Sequence, residues 1–216
     1  MQRGLKQGIQ LSFGEEIGNA VSHGTASILF LGLLPYSAIY SYSHYGTKAA
    51  IGISIFIISL YLMFLSSTIY HVMAYGSPHK RVLRMIDHSM IFVAIAGSYT
   101  PIALSLVGGW LGMCLIVLQW VITIAGILYQ ILAHHVNEKL TLALYLVMGW
   151  LAVLVIPAMM TKASLTFISL ILLGGLFYSV GAVFYAKKKP YFHFIWHLFI
   201  IFASLSHYLA IVFFML

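Results

Sequence analysis

Seven runs of about twenty predominantly apolar residues, roughly 22–42, 49–72, 85–106, 110–130, 140–158, 164–186 and 193–215, are separated only by short polar connectors. A run of that length crosses a bilayer core as a helix, because in lipid a helix is the simplest way to satisfy every backbone N–H and C=O within one segment. The chain is therefore read as an all-α integral membrane protein. Its composition agrees: 62% of the 216 residues are hydrophobic and 7% are charged, too few charges to clothe a soluble core. No connector is rich in Gly and Ser, no internal repeat stands out, and nothing remains for a soluble domain. Residues 1–216 are expected to form a single seven-helix transmembrane domain.

Basic residues set the expected orientation. Arg3 and Lys6, Lys80, Arg81 and Arg84, Lys139, and Lys187, Lys188 and Lys189 fall on one side of the seven spans, nine in all, against Lys48 and Lys162 on the other. The positive-inside rule then puts the amino terminus in the cytoplasm and the carboxyl terminus outside. The net charge of +7 is accounted for by these flanking residues, so nucleic acid is not an expected partner. The first twenty residues contain Glu15 and Glu16 and lack a short apolar core with a small-residue cleavage site, so the first span is expected to be an uncleaved anchor. The single cysteine, Cys114, lies in an apolar run and reads as a small packed hydrophobe. Pro101 and Pro157 read as kinks, and Trp110 and Trp150 as interfacial aromatics.

In this topology the spans' costliest residues gather at one depth. An ionisable group inside a membrane helix costs roughly 2.5–3.5 kcal/mol on insertion scales and needs a partner. His193 and His197 stand four residues apart at the cytoplasmic start of the seventh span, hence on one helix face. Ser67 and His71 end the second span on that side, and Asp87 and His88 open the third. Glu16, Asn19 and His23, spaced by three and four, lead into the first. Three imidazoles with a carboxylate suit zinc or another late first-row divalent ion. The H-x-x-x-H spacing by itself is weak, since the pair lacks the Glu of a helical H-E-x-x-H site.

Each residue also has a structural reading. The histidine pair can be satisfied interface residues, and His71 a helix-end cap. Asp87 can neutralise the third helix's positive end or pair with Arg84, and Ser67 can be ordinary small-residue packing. His88 points about 100 degrees from Asp87 and reads as an interface residue. His207, ten residues past His197 and thus about 15 Å deeper, cannot share its ion and is expected to hydrogen-bond a neighbouring helix. His44, His79, His134 and His135 fall in predicted loops and are assigned to solvent or headgroups.

Ser67-x-x-x-His71, Asp87 and His193-x-x-x-His197, preceded by Glu16-x-x-Asn19-x-x-x-His23, resemble the hemolysin III branch of the progestin and adipoQ receptor family over essentially the whole chain. The resemblance implies a seven-helix bundle with zinc near the cytoplasmic face, held by His71, His193 and His197, with Asp87 reaching it through water. Similarity extends to alkaline ceramidases, which implies hydrolysis of lipid amides, and the compact form resembles bacterial members of the plasma membrane.

Three functions follow as expectations. In the first, Asp87 serves as base and Ser67 as oxyanion donor in metal-dependent hydrolysis of a lipid amide or ester from the inner leaflet, with Glu16, Asn19 and His23 in support. In the second, the zinc stabilises one conformation of a non-catalytic membrane-state sensor. The third, a cytolysin or pore, requires a polar path that the apolar outer halves of the spans do not offer. Membrane lipids are the expected partners; the oligomeric state does not follow from the sequence.

Overall fold

The computed structural model describes residues 10–216, so Arg3 and Lys6 of the charge count lie outside the described residues. Among the described residues every regular element is helical. Helix α1 runs over Phe13–Val72, α2 over Pro78–Pro101, and a π-helical segment over Ile102–Val107; α3 is Gly109–Leu132, α4 Glu138–Trp150, α5 Ala152–Met159, α6 Leu165–Ala186 and α7 Phe192–Phe213. Five of these stretches are long and apolar enough to cross a membrane: α1, α2 with its π-helical extension, α3, α6 and α7.

Helix α1 starts at Phe13, ahead of the predicted 22, because a capping box holds its end. The Ser12 hydroxyl accepts the Glu15 N–H while the Glu15 carboxylate accepts the Ser12 N–H, so polar residues extend the helix beyond its apolar run. The sixty-residue helix breaks at Gly46, with φ 80° and ψ −175°, a conformation that residues bearing a Cβ rarely adopt. That break separates 13–45 from 47–72, between the first two predicted spans. It also places His44 in helix rather than in the predicted loop, with Nδ1 2.9 Å from the Tyr40 carbonyl. His79 likewise lies in the first turn of α2, although exposed, because Ser77 caps that helix and Pro78 opens it.

The predicted span 140–158 is interrupted at Leu151. Here the Tyr99 hydroxyl enters the helical ladder, donating to the Gly149 carbonyl and accepting the Ala152 N–H, each at 2.6 Å. A side chain inserted this way explains a helix break without proline; Pro157 lies further on, within α5. Helix α1 is the hub, packed by α2 and α7, with α6 on α7 and α3 on α2. Its buried Phe30, Phe56, Phe64 and Leu60 form the middle of the core. The outer face of α3, with Leu111, Val117, Val121 and Ile124, is exposed, as expected of a helix facing lipid.

Candidate metal centre

The last turn of α1 and the first two turns of α7 meet at one end of the bundle. His71 comes from the first, His193 and His197 from the second, and one ring nitrogen of each lies within 4.8 Å of the others. The facing Nε2 atoms of His193 and His197 are 3.1 Å apart, as the four-residue spacing allows. Tyr191, the residue before α7, holds a left-handed conformation (φ 60°), and its N–H donates to the Glu15 carboxylate at the start of α1. This contact sets where α7 begins, and therefore where its histidines point.

A chain of charged contacts behind His71 fixes its ring. Glu16 Oε2 lies 2.6 Å from His71 Nδ1, and its other oxygen accepts from Lys80 Nζ, also at 2.6 Å. Since a carboxylate only accepts, Nδ1 carries the proton and the Nε2 lone pair is left for the cluster. His71 Nε2 and His197 Nδ1 are buried without a hydrogen-bond partner, as are Asn19 Oδ1 and both nitrogens of His23. Each such atom costs about 1–3 kcal/mol unless something polar meets it, and here they are concentrated in one place.

The geometry fits a divalent transition metal. Zinc bonded to nitrogen at about 2.0–2.1 Å in a tetrahedron brings its ligand atoms to roughly 3.3 Å from one another. The His193–His197 pair is already close to that separation, and His71 closes the triangle with its ring oriented by Glu16. A tetrahedral ion held by three imidazoles would keep a fourth position for another ligand.

Ser67, one turn before His71, and Asp87 of α2 are both buried, the serine close enough to act on the carboxylate. The three-imidazole group does not include Asp87. With His23, these two line the end of an apolar cavity of about 140 Å³ that continues along Ile95, Ile168 and Ile171. His23 stacks on His197 with ring centroids 3.7 Å apart, and Asn19 Nδ2 is 3.5 Å from His71 Nδ1. The structure thus places all of the predicted site residues at one end of the bundle. His88 Nδ1 is 2.9 Å from the Arg84 carbonyl and 3.5 Å from the Asp87 carboxylate, and its Nε2 is 3.5 Å from the Tyr185 hydroxyl, so it touches the site through Asp87 without joining the imidazole group. His207 lies deeper, 3.2 Å from the Ile171 carbonyl of α6.

Two basic residues have roles that sequence reasoning missed. Lys80, counted above only for topology, is buried, pairs with Glu16 and donates to the Met73 carbonyl at the end of α1. Its signal was position: a lysine in the first turn of a helix opposes the helix dipole and needs another reason to be there. Arg84 pairs with Glu138 of α4 at 2.7 Å rather than with Asp87. Glu138, ahead of the apolar run of α4, also pairs with Lys188 at 2.8 Å. Burial pushes its carboxyl up, but the hydrogen bond and charge of Lys188, together with Arg84, outweigh that and hold it below its ordinary range.

The family model described as Haemolysin-III related matches residues 11–208, which includes every site residue discussed. The chain belongs to the haemolysin-III-related family. It is 36% identical to the "Hemolysin-3 homolog" of Bacillus subtilis over 201 residues, covering 93% of this chain and 94% of that one. It is 34% identical to "Hemolysin-3" of Bacillus cereus over 203 residues, 94% of this chain and 92% of the relative. The human "Monocyte to macrophage differentiation factor" is 32% identical over 155 residues, 69% of this chain and 64% of the human protein. This haemolysin-III-related chain, with its five long apolar helices, is a multi-pass membrane protein.

Proposed function

We propose that this haemolysin-III-related protein is a zinc-dependent hydrolase of a lipid amide or ester, reached from the inner leaflet of the bacterial cell membrane. In this reading one domain crosses the membrane seven times, with its amino terminus in the cytoplasm and its carboxyl terminus outside. The break at Gly46 divides α1 into two spans, and α4 with α5 makes another. The observation that carries the proposal is that His23, stacked on one of three converging imidazoles, lines an apolar cavity together with a buried carboxylate and hydroxyl.

His71, His193 and His197 would hold the zinc ion, which when bound would supply Lewis acidity toward a carbonyl and a bound water. Asp87 takes the proton of the attacking water as its oxygen bonds to the carbonyl carbon. The Ser67 hydroxyl donates to the carbonyl oxygen as charge builds there. When the C–N or C–O bond breaks, Asp87 passes the proton to the leaving nitrogen or oxygen. Glu16 and Lys80 keep His71 in register, while Asn19 and His23 supply polar groups around the reacting centre.

Asp87→Asn tests this reading. The variant is expected to fold and to keep its metal, while hydrolysis of the wild-type protein's best substrate, found among ceramide-like and acyl lipids, falls by roughly 10²–10⁴-fold. Wild-type protein with a full complement of metal and no turnover on any of these lipids would overturn it. That result favours the second reading, a membrane-state sensor, which has its own support: the cluster joins α1 to α7, so occupancy biases how the first and last helices dock. The name hemolysin belongs to the relatives; a cytolytic pore is the third and weakest reading, given the apolar core midway along the bundle.

A further inference from the structure

A second cavity, of about 200 Å³, opens on the other side of the imidazole cluster. Its chemistry is the reverse of the first. His193 forms part of its wall, with Arg84, Glu138 and the Lys187–Lys189 run around it. Four cations and two carboxylates face it, and both carboxylates are already engaged: Glu138 by Arg84 and Lys188, Glu15 by Ser12 and the Tyr191 N–H. Lys187 and Lys189 are exposed and, among the described residues, have no carboxylate partner. The cluster touches the polar chamber, of net positive charge, directly through His193, and the apolar chamber through His23, which stacks on His197 and lines it with Ser67 and Asp87.

We propose that the polar chamber binds a phosphate group, so that the lipid recognised at the metal centre is an anionic, phosphate-bearing amphiphile. Its tail occupies the apolar chamber and its headgroup the basic one, with the bonds between them passing the imidazoles. A phosphate offers several acceptor oxygens and draws on both charge and hydrogen bonding from lysine and arginine, whereas a neutral alcohol headgroup leaves most of those cations unanswered. Under the proposed orientation the Lys187–Lys189 loop also lies at the depth of the inner-leaflet phosphates. The part this chamber plays in substrate choice rests on the hydrolase reading; its phosphate binding does not.

The test uses the full chain, purified in detergent with its metal, and measures binding by thermal shift and calorimetry. The probes are dioctanoyl phosphatidic acid, dioctanoylglycerol and inorganic phosphate. The phosphate-bearing lipid is expected to bind on the order of tenfold more tightly than the neutral one, a preference weakened by salt. The K187Q/K189Q variant changes two exposed side chains and is expected to lose that preference while keeping its metal and its affinity for dioctanoylglycerol. K48Q, beside the Gly46 break, is expected to keep the preference. If inorganic phosphate alone binds with the same dependence on Lys187 and Lys189, the chamber's ligand includes a soluble anion; if only the lipid does, the headgroup is its source. Equal affinity for the two lipids, or a preference that survives in K187Q/K189Q, would overturn the proposal. Lysine-dependent binding without turnover on any lipid would sink the hydrolase and leave the chamber, whereas turnover together with equal binding of the charged and neutral lipids would do the opposite.

Discussion

Helix α7 carries histidines in two places, buried or half-buried, and they are put to different uses. At its start, His193 and His197 turn their Nε2 atoms toward each other and toward His71 across the bundle. Further along, His207 spends Nε2 on the Ile171 carbonyl of α6 and sets its ring edge-on to Tyr178. Residue type, helix and apolar surroundings are shared. What separates the two regions is the partner: a carbonyl oxygen satisfies one nitrogen completely, whereas imidazoles facing one another leave lone pairs converging on a common point. Burial of a histidine is thus a poor guide to a site, and convergence of nitrogens a good one.

The largest effect that can break this comparison is loss of the metal. His193→Ala or His197→Ala is expected to abolish stoichiometric zinc in the purified protein, while His207→Ala keeps it and loses thermal stability instead; elemental analysis and a melting curve on the three variants decide it. A His193→Ala protein with one zinc per chain would erase the distinction.

Next comes Glu16→Gln. The amide no longer presents a charged acceptor to His71 Nδ1, so metal affinity should fall by roughly 10–100-fold, as is usual when a partner that orients a ligand is altered. Competition with a chelator of known affinity measures it, and an unchanged constant would mean that Glu16 does not hold the ring.

The His207 region is sharpened by Gly174→Ala. An added methyl would run into the His207 imidazole, because α6 and α7 approach closely there. The expected cost is about 1–3 kcal/mol of stability, typical of overpacking, with no change in zinc affinity. Coupled losses of stability and metal would show that the two regions communicate.

The smallest effect concerns pH. Glu138 is held below its ordinary value of 4.5, so its ion pairs with Arg84 and Lys188 contribute above that pH and are lost as pH falls through the lowered native value. Its side chain is 37% exposed, which limits the contribution to about 1 kcal/mol or less after screening. Wild type should therefore lose slightly more melting temperature than Glu138→Gln between pH 5 and about pH 3; parallel curves would remove the ion pairs from the account.

Much of this was legible before any coordinates. Hydropathy located the apolar runs because the bilayer demands length, and the four-residue step from His193 to His197 fixed their common face. The order and direction of the apolar runs alone put His71 at the same end. Hydropathy could not show where α1 begins, since its first turns are polar and depend on the Ser12–Glu15 cap. Nor could it find the break at Leu151, which depends on a tyrosine fifty-two residues earlier in the chain. Lys80 escaped for a related reason. A basic residue beside a span counts equally for topology whether it faces water or folds back onto a carboxylate, as Lys80 does onto Glu16.

The contact between Glu15 and the Tyr191 N–H joins positions 176 residues apart. A chain made from its amino terminus therefore completes the Glu16–His71–Lys80 arrangement long before the other two imidazoles exist. Through most of synthesis the protein carries a half-built site, one oriented ring with nothing opposite it. Helix α7 is the closing piece: until it is made and docked on the start of α1, an arriving ion would meet a single nitrogen of the proposed site. On that proposal retained metal would be a receipt for a finished chain, and a truncation just before Tyr191 is expected to hold none.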